Sequence, residues 1–457
     1  MSLLKNVGTI GGLTAVSRVF GFLRDIWLAR VLCACGVADA LQLAVQFPNL
    51  FRRLFAEGAF ASAFVPLFNR HMNESDSEAR RFASEVLAVL LPILVAFGAV
   101  MMVVMPWVLW PFASADMRAS EGTYDLAVTM ARIAFPYLIF MSLLAFLSRA
   151  AAAAAAPSLL NFCLLAALFW GIIQQPVEAT RQSVGLYLAI AVSVSGVAQL
   201  LWLLFFMRRA GFALSFHPPR LTERVKEMGV LIVPAIFGAG VYQISRFIDL
   251  AFYGVLPDGS LCYMAYADRW NQLPLGIIGI ALGTAILPAL SRHIGKEDED
   301  EAARLQASAI ELAMLLTIPC AVALFFTGTA FVRVFMAGQS FTQEDASVTG
   351  LVVSALVSGL PAYVLVKVLT PNFFARKDTR TPVVTAALAL VVTVALNFTF
   401  IFGFDLGVVG LALAGAVGAW GNIALLSFIL ARRGFFILPA KVLGRIGRIA
   451  IAAAVMG

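Results

Sequence analysis

The chain has 457 residues, 61% of them hydrophobic and 13% charged, with a formal net charge of +7. A soluble domain carries about twice that charged fraction, and apolar segments of about 20 residues, each long enough to cross about 30 Å of hydrocarbon, recur along the whole length. Composition therefore excludes a soluble enzyme or a separate soluble domain, and the excess of Lys and Arg reads as membrane orientation, not as a nucleic-acid surface.

Twelve spans and part of a thirteenth are predicted, near 6–31, 38–68, 83–112, 126–149, 154–174, 183–207, 228–254, 263–291, 307–334, 346–370, 381–403, 407–431 and from 442 onward. The first carries Arg18, Arg24 and Asp25 and has no clean apolar core before a cleavage site, so it reads as a retained helix, not a signal peptide. Arg18 is too deep for easy snorkelling. It shares a face with Asp25, while Arg24 lies about 120° away. A lipid-facing arginine costs about 2.5–3.5 kcal/mol on insertion scales. These residues are expected either to face a polar cavity that receives an anion or to neutralise themselves, as in an Arg18–Asp25 pair.

The second span, VADALQLAVQFPNLFRRLFAEGAFASAFVPLF, is interrupted by Pro48 and Pro66. Arg53 and Glu57 are four apart and can pair along the helix, which leaves Arg52 to face the cavity. Asp39, near the outer end, is either solvated or functional. Asp249 in the seventh span could bind a cation or pair with Arg246, Asp268 and Arg269 lie in the eighth, and Lys367 in the tenth either faces a cavity or snorkels. Cys33 and Cys35 form the only close cysteine pair, without a partner pair at zinc spacing. The five cysteines read as small apolar residues. His71, His217 and His293 all fall in loops, and no H-E-x-x-H, P-loop, G-x-S-x-G or dinucleotide fingerprint is present. No catalytic residues are expected, and no cofactor apart from the cation that Asp249 could bind.

Alternate loops carry Arg70, Arg80 and Arg81; Arg149; Arg208, Arg209, Arg220, Arg224 and Lys226; Arg292 and Lys296; Arg376, Lys377 and Arg380; and Arg432, Arg433, Lys441, Arg445 and Arg448. The opposite loops hold little beyond Arg118 and Arg181, which puts the N-terminus in the cytoplasm. The basic loop with Pro218-Pro219 divides the chain into an N-lobe (1–208, spans one to six), a cytoplasmic linker (209–227), a C-lobe (228–432, spans seven to twelve) and a partial thirteenth span (433–457), with the fourteenth absent. An internal repeat supports the division. ASAFVPLFNRH at 61–71 matches GTAILPALSRH at 283–293, an offset of 222 residues. Parallel repeats are one transporter architecture, with the site between the halves.

At SRVFGFLRD (17–25), VADA…FPNLFRRLFAEGAFASAFVP (37–66), ARIAFPYLIFMSLLA (131–145), YADRWNQLPLGIIGIALGTAILPALS (266–291) and DTRTPVV (378–384) the chain resembles the MurJ (MviN) family of lipid II flippases, in the MOP exporter superfamily. The resemblance implies an all-α membrane fold of two lobes around a central cationic cavity. It implies alternating-access export of lipid II, an undecaprenyl-diphosphate-linked disaccharide pentapeptide, across the bacterial inner membrane. Cell-wall synthesis proteins are the implied partners. The family's cavity arginines fall on Arg18, Arg24, Arg52 and Arg269, and Asp39 and Glu57 match acidic positions. Asp249 and Asn397 match part of a sodium site whose further acidic ligand is Ile401 here. The junction between Ser148 and Pro157, with its alanine run, is about seven residues shorter than the family's, and the helices that hold the polyprenyl tail are mostly absent. Alternatives are a flippase for another polyprenyl-diphosphate glycan, a drug exporter of the superfamily, and an inactive truncated or scaffold homologue.

Overall fold

The computed structural model describes all residues except 1–2, 53–58, 121, 148–149, 175–177, 210–217, 297, 339, 437–438 and 457, and additionally leaves the side chains of 3–16, 18, 59–62, 65, 147, 150–157, 172–174, 178–180, 233–242, 245, 280 and 284 undescribed. Among the described residues the chain is helical, without strands. Among the described residues, eight helical segments are long and apolar enough to cross a membrane, which makes this a multi-pass membrane protein.

Two compact units, Met1–Gly259 and Ser260–Gly457, make up the chain. The first holds α1 (Leu3–Leu32), α2 (Gly36–Arg52), α3 (Ala59–Glu74), α4 (Asp76–Leu109), α5 (Ala115–Ala119), α6 (Thr123–Ala134), α7 (Tyr137–Leu147), α8 (Ala150–Gln174), α9 (Glu178–Arg209) and α10 (Glu223–Tyr253). The second holds α11 (Ser260–Pro274), α12 (Ile280–Ile294), α13 (Glu299–Met336), α14 (Gln343–Ser358), α15 (Leu360–Ala375), α16 (Arg380–Phe398), α17 (Gly407–Arg432) and α18 (Ala440–Met456). Helix α10 packs along α3 and α4 and so groups with the first unit. The alanine run is the first turns of α8, as expected of the strongest helix former.

The repeat extends to helix boundaries. Shifted by the same 222 residues, α1, α2, α3 and α4 fall within a few residues of the starts of α10, α11, α12 and α13. The matched histidines behave alike: His71 Nδ1 lies 3.2 Å from Glu74 and His293 Nδ1 lies 3.7 Å from Asp298.

Proline breaks are closed by side chains from neighbouring helices. Pro136 separates α6 from α7, and Ser193 Oγ of α9 donates to Ile133 O at 2.5 Å. Pro106 lies inside α4 and has no N–H for the carbonyl of Met102. Arg132 Nε of α6 donates to that carbonyl at 2.8 Å, and Tyr124 Oη donates to Pro106 O. Backbone groups freed within an apolar span need such partners.

Candidate functional site

Arg24 is the best-defined of the expected arginines. It sits on α1 against α8, with its side chain 14% exposed. Nε and Nη2 donate to Asp25 Oδ1 at 2.9 and 2.6 Å, and Nη1 donates to Asn161 Oδ1 at 3.0 Å. Asn161, itself buried, anchors the group by donating Nδ2 to Ser17 O at 2.9 Å. Asp25 thus pairs with its neighbour Arg24. The Arg18 side chain lies outside the described residues. Asn161 escaped the sequence reading because a single amide in an apolar helix, 137 positions away, carries no pattern of its own.

Arg52 closes α2 and is half-buried, with Nε 3.3 Å from Asn49 Oδ1. Arg53 and Glu57 lie outside the described residues. Next to Arg52 stands an apolar wall that the sequence did not single out. Phe51 packs on Phe97, Phe135 and Phe247 at ring-centre distances of 5.3, 6.1 and 6.1 Å. Phe47 packs on Phe112 and Phe247 at 5.3 and 6.2 Å. These rings come from α2, α4, the α6–α7 break, the turn after α4 and α10, and they seal one unit around Phe247.

Beyond the phenylalanines lies a small polar seal. Asp39, 4% exposed, accepts the backbone N–H of Gly259 at 2.6 Å. Asp258 accepts from Ser114 Oγ, and its own N–H donates to Asp116 Oδ2 at 3.3 Å. Gly36 is needed here, since a Cβ on it would lie 2.7 Å from Asp258 Oδ2. Arg118 donates to Gly254 O at 3.4 Å. Asp39 is thus not a solvated acid; it holds the turn after α10. The adjoining turn carries a Cys33–Cys35 disulfide, which corrects the reading of all five cysteines as plain apolar residues.

At its other end α10 is held by long side chains. Arg70 meets Glu227 at 3.2 Å, Arg224 meets Glu78 at 2.5 Å, and Thr222 Oγ1 donates to Glu85 Oε2 at 2.8 Å. Asp249 and Arg246 lie on α10 between the two ends, Asp249 half-buried and Arg246 exposed.

In the second unit, Arg269 is exposed on α11, and the neighbouring Asp268 accepts from Gln272 Nε2 at 3.3 Å. Lys367 is exposed on α15. Asn397 is 1% exposed, and both of its amide atoms lack a hydrogen-bond partner among the described residues. It lies two residues before a π-helical turn, Thr399–Gly403, in which Ile401 is buried. A second π-turn, Leu275–Gly279, joins α11 to α12. The DTRTPVV stretch is a structural cap: Asp378 accepts from Thr381 N at 2.9 Å, Thr381 Oγ1 at 2.6 Å and Arg433 Nη1 at 2.6 Å. Among the described residues no cluster of His, Cys, Asp or Glu could hold a metal ion.

The sequence model described as "Lipid II flippase MurJ" matches residues 28–457. A protein of Rhizobium meliloti (strain 1021), "Probable lipid II flippase MurJ", is 39% identical over 100% of this chain and 86% of its own length. A protein of the same description from Rickettsia prowazekii (strain Madrid E) is 30% identical over 93% of this chain and 83% of its own. Among solved structures, "Lipid II flippase MurJ, inward closed conformation" superposes with a TM-score of 0.80 at 23% identity, covering 98% of this chain and 91% of that one. An inward-facing MATE transporter of the MOP superfamily superposes at 0.67 with 15% identity, covering 95% of each chain.

Proposed function

The chain belongs to the MurJ family of lipid II flippases, and from that premise we propose that it moves the lipid-linked peptidoglycan precursor lipid II from the cytoplasmic to the periplasmic leaflet of the bacterial inner membrane by alternating access. The loop charges support an N-terminus in the cytoplasm. The observation that carries the substrate reading is a cation on an otherwise apolar span, met at Arg24, Arg52 and Arg269. A guanidinium there suits diphosphate oxygens through charge-assisted, bidentate bonds. Arg18, Arg24, Arg52 and Arg269 are the proposed headgroup residues, with Asp25, Asp39, Arg53 and Glu57 as ion-pair and gating residues.

The Arg24–Asp25 pair sharpens the step. Arg24 is already neutralised before substrate arrives, so the diphosphate must displace Asp25 from it. Buried charges are held paired at all times, and the exchange avoids a bare guanidinium in the apolar span. Sodium, proposed at Asp249 and Asn397, is supported only in part. The unpartnered Asn397 amide can offer an oxygen, but Ile401 supplies none where a further acidic ligand is needed. No step is assigned to sodium. A membrane potential of about 100 mV, negative inside, favours outward movement of an anion by about 2.3 kcal/mol per charge carried across. Partners among cell-wall synthesis proteins belong to the same proposal.

The deciding experiment is rescue of a lipid II flippase depletion strain by this chain, with Arg24→Ala and Arg269→Ala alongside. Loss of rescue at normal membrane insertion is expected for both. Full rescue by either would remove that residue from the headgroup site, and failure of the unaltered chain would remove the flippase reading.

A further inference from the structure

We propose that the outward groove between α4 and α6 binds the phosphoethanolamine headgroup of a membrane lipid, with its phosphate on Arg132 and its ammonium on Asp125. The site is separate from the flippase site described above.

Asp125, Thr129 and Arg132 recur at i, i+4 and i+7 on α6, and all three are exposed. That spacing makes one polar stripe along a helix face, on a segment, Thr123–Phe146, long and apolar enough to span the membrane. The exposed face of neighbouring α4 carries Val100, Val103 and Trp107, which are 58, 66 and 72% exposed. A wall of that kind faces lipid, so the stripe is set against hydrocarbon and not against water.

Arg132 is fixed at the bottom of the stripe by its Nε bond to Met102 O, the carbonyl orphaned by Pro106. Its two Nη groups have no partner among the described residues, and no carboxylate pairs with it. A guanidinium so placed needs an anion. Depth decides which anion reaches it. Trp107, Trp110 and Tyr124 form an aromatic belt of the kind found at a membrane–water interface, with Trp110 and Tyr124 rings 5.5 Å apart. Met102 lies five residues before Trp107, about 7.5 Å along the helix. Helical side chains lean toward the N-terminus, which for α6 is the belt end, so Arg132 points its Nη groups from the Met102 level toward the lipid phosphates.

Asp125 lies two turns above Arg132, about 10.5 Å nearer the aqueous side, and forms no ion pair among the described residues. A cation below and a carboxylate above match the order of charges in phosphoethanolamine, phosphate first and ammonium outermost. A phosphoglycerol headgroup offers no cation to Asp125, and a choline has no N–H to donate.

The test is native mass spectrometry of the full chain in detergent, titrated separately with phosphatidylethanolamine, phosphatidylglycerol and phosphatidylcholine. The unaltered chain should retain phosphatidylethanolamine about tenfold better than the other two, the worth of one charge-assisted hydrogen bond. Arg132→Gln should lower retention of all phospholipids. Asp125→Asn leaves the α4 kink untouched and should abolish the preference while keeping general binding. Equal retention of the three lipids, preference for phosphatidylglycerol, or an unchanged preference in Asp125→Asn would each overturn the proposal.

Discussion

At its Glu223 end, helix α10 is held by arginine and glutamate side chains that water reaches; Arg70 and Glu227 are 64 and 48% exposed, and Arg224 and Glu78 about a third. At its Tyr253 end it is followed by a turn whose backbone is gripped by the buried carboxylate of Asp39 and by the packed Ser114–Asp258 contact. Exposed pairs are worth about 0–1 kcal/mol each and weaken with salt. A buried bond to a charged acceptor is worth about 1.5–3 kcal/mol, and breaking it strands a buried donor. One end can therefore be exchanged cheaply at each cycle, while the other opens only if something replaces its bonds.

The largest effect is expected from Asp39→Ala, which leaves the Gly259 N–H without its acceptor. Growth rescue of a flippase-depleted strain should fall by more than tenfold, and Asp39→Asn, which keeps an acceptor oxygen, should restore part of it. Equal behaviour of both variants would mean that the charge, not the bond, matters. Gly36→Ala comes next. Its Cβ must displace the Asp258 carboxylate, an overpacking cost of about 1–3 kcal/mol, visible as a lowered melting temperature of the purified protein. Smaller again is the Arg224–Glu78 pair. A double-mutant cycle with Arg224→Gln and Glu78→Gln should give a coupling of at most about 1 kcal/mol that vanishes in high salt; a larger, salt-resistant coupling would erase the contrast between the two ends. The smallest effect is expected at Asp378, a surface cap on the second unit. Hydrogen bonds from Thr381, together with Arg433, hold its carboxyl down to about 2. A carboxyl lowered on folding stabilises above its ordinary value, near 4, and loses that contribution as pH falls through about 2. Asp378→Asn should therefore converge on the unaltered chain as pH falls below about 2 and be slightly less stable at neutral pH, read by thermal melts across that range.

Much of the architecture was legible before any coordinates. Span order, the 222-residue repeat and the loop charges depend on hydrophobicity, proline and arginine, each of which acts locally and leaves a local signature. The site was legible only in half. Arg24 and Asp39 stand out as charges in apolar surroundings, but their partners do not. Asn161 is one amide among apolar neighbours, and Gly259 contributes a backbone N–H that no side-chain pattern announces. The phenylalanine wall was hidden for a different reason: with 37 phenylalanines in the chain, composition cannot mark the few that converge. The grouping of α10 with the first unit was hidden too, because compactness follows packing and α10 packs backward onto α3.

The two π-turns of the second unit have an evolutionary consequence. A π-turn holds one residue more than the α-helix it interrupts, and one extra residue in a regular helix rotates everything beyond it by about 100°. In a membrane span such an insertion would swing a lipid-facing surface into the protein. Leu275–Gly279 and Thr399–Gly403 absorb the extra residue locally. These are the positions within the spans where single-residue insertions and deletions among relatives should be found, and where a lineage could re-aim Asn397 relative to the rest of its helix without rebuilding the bundle.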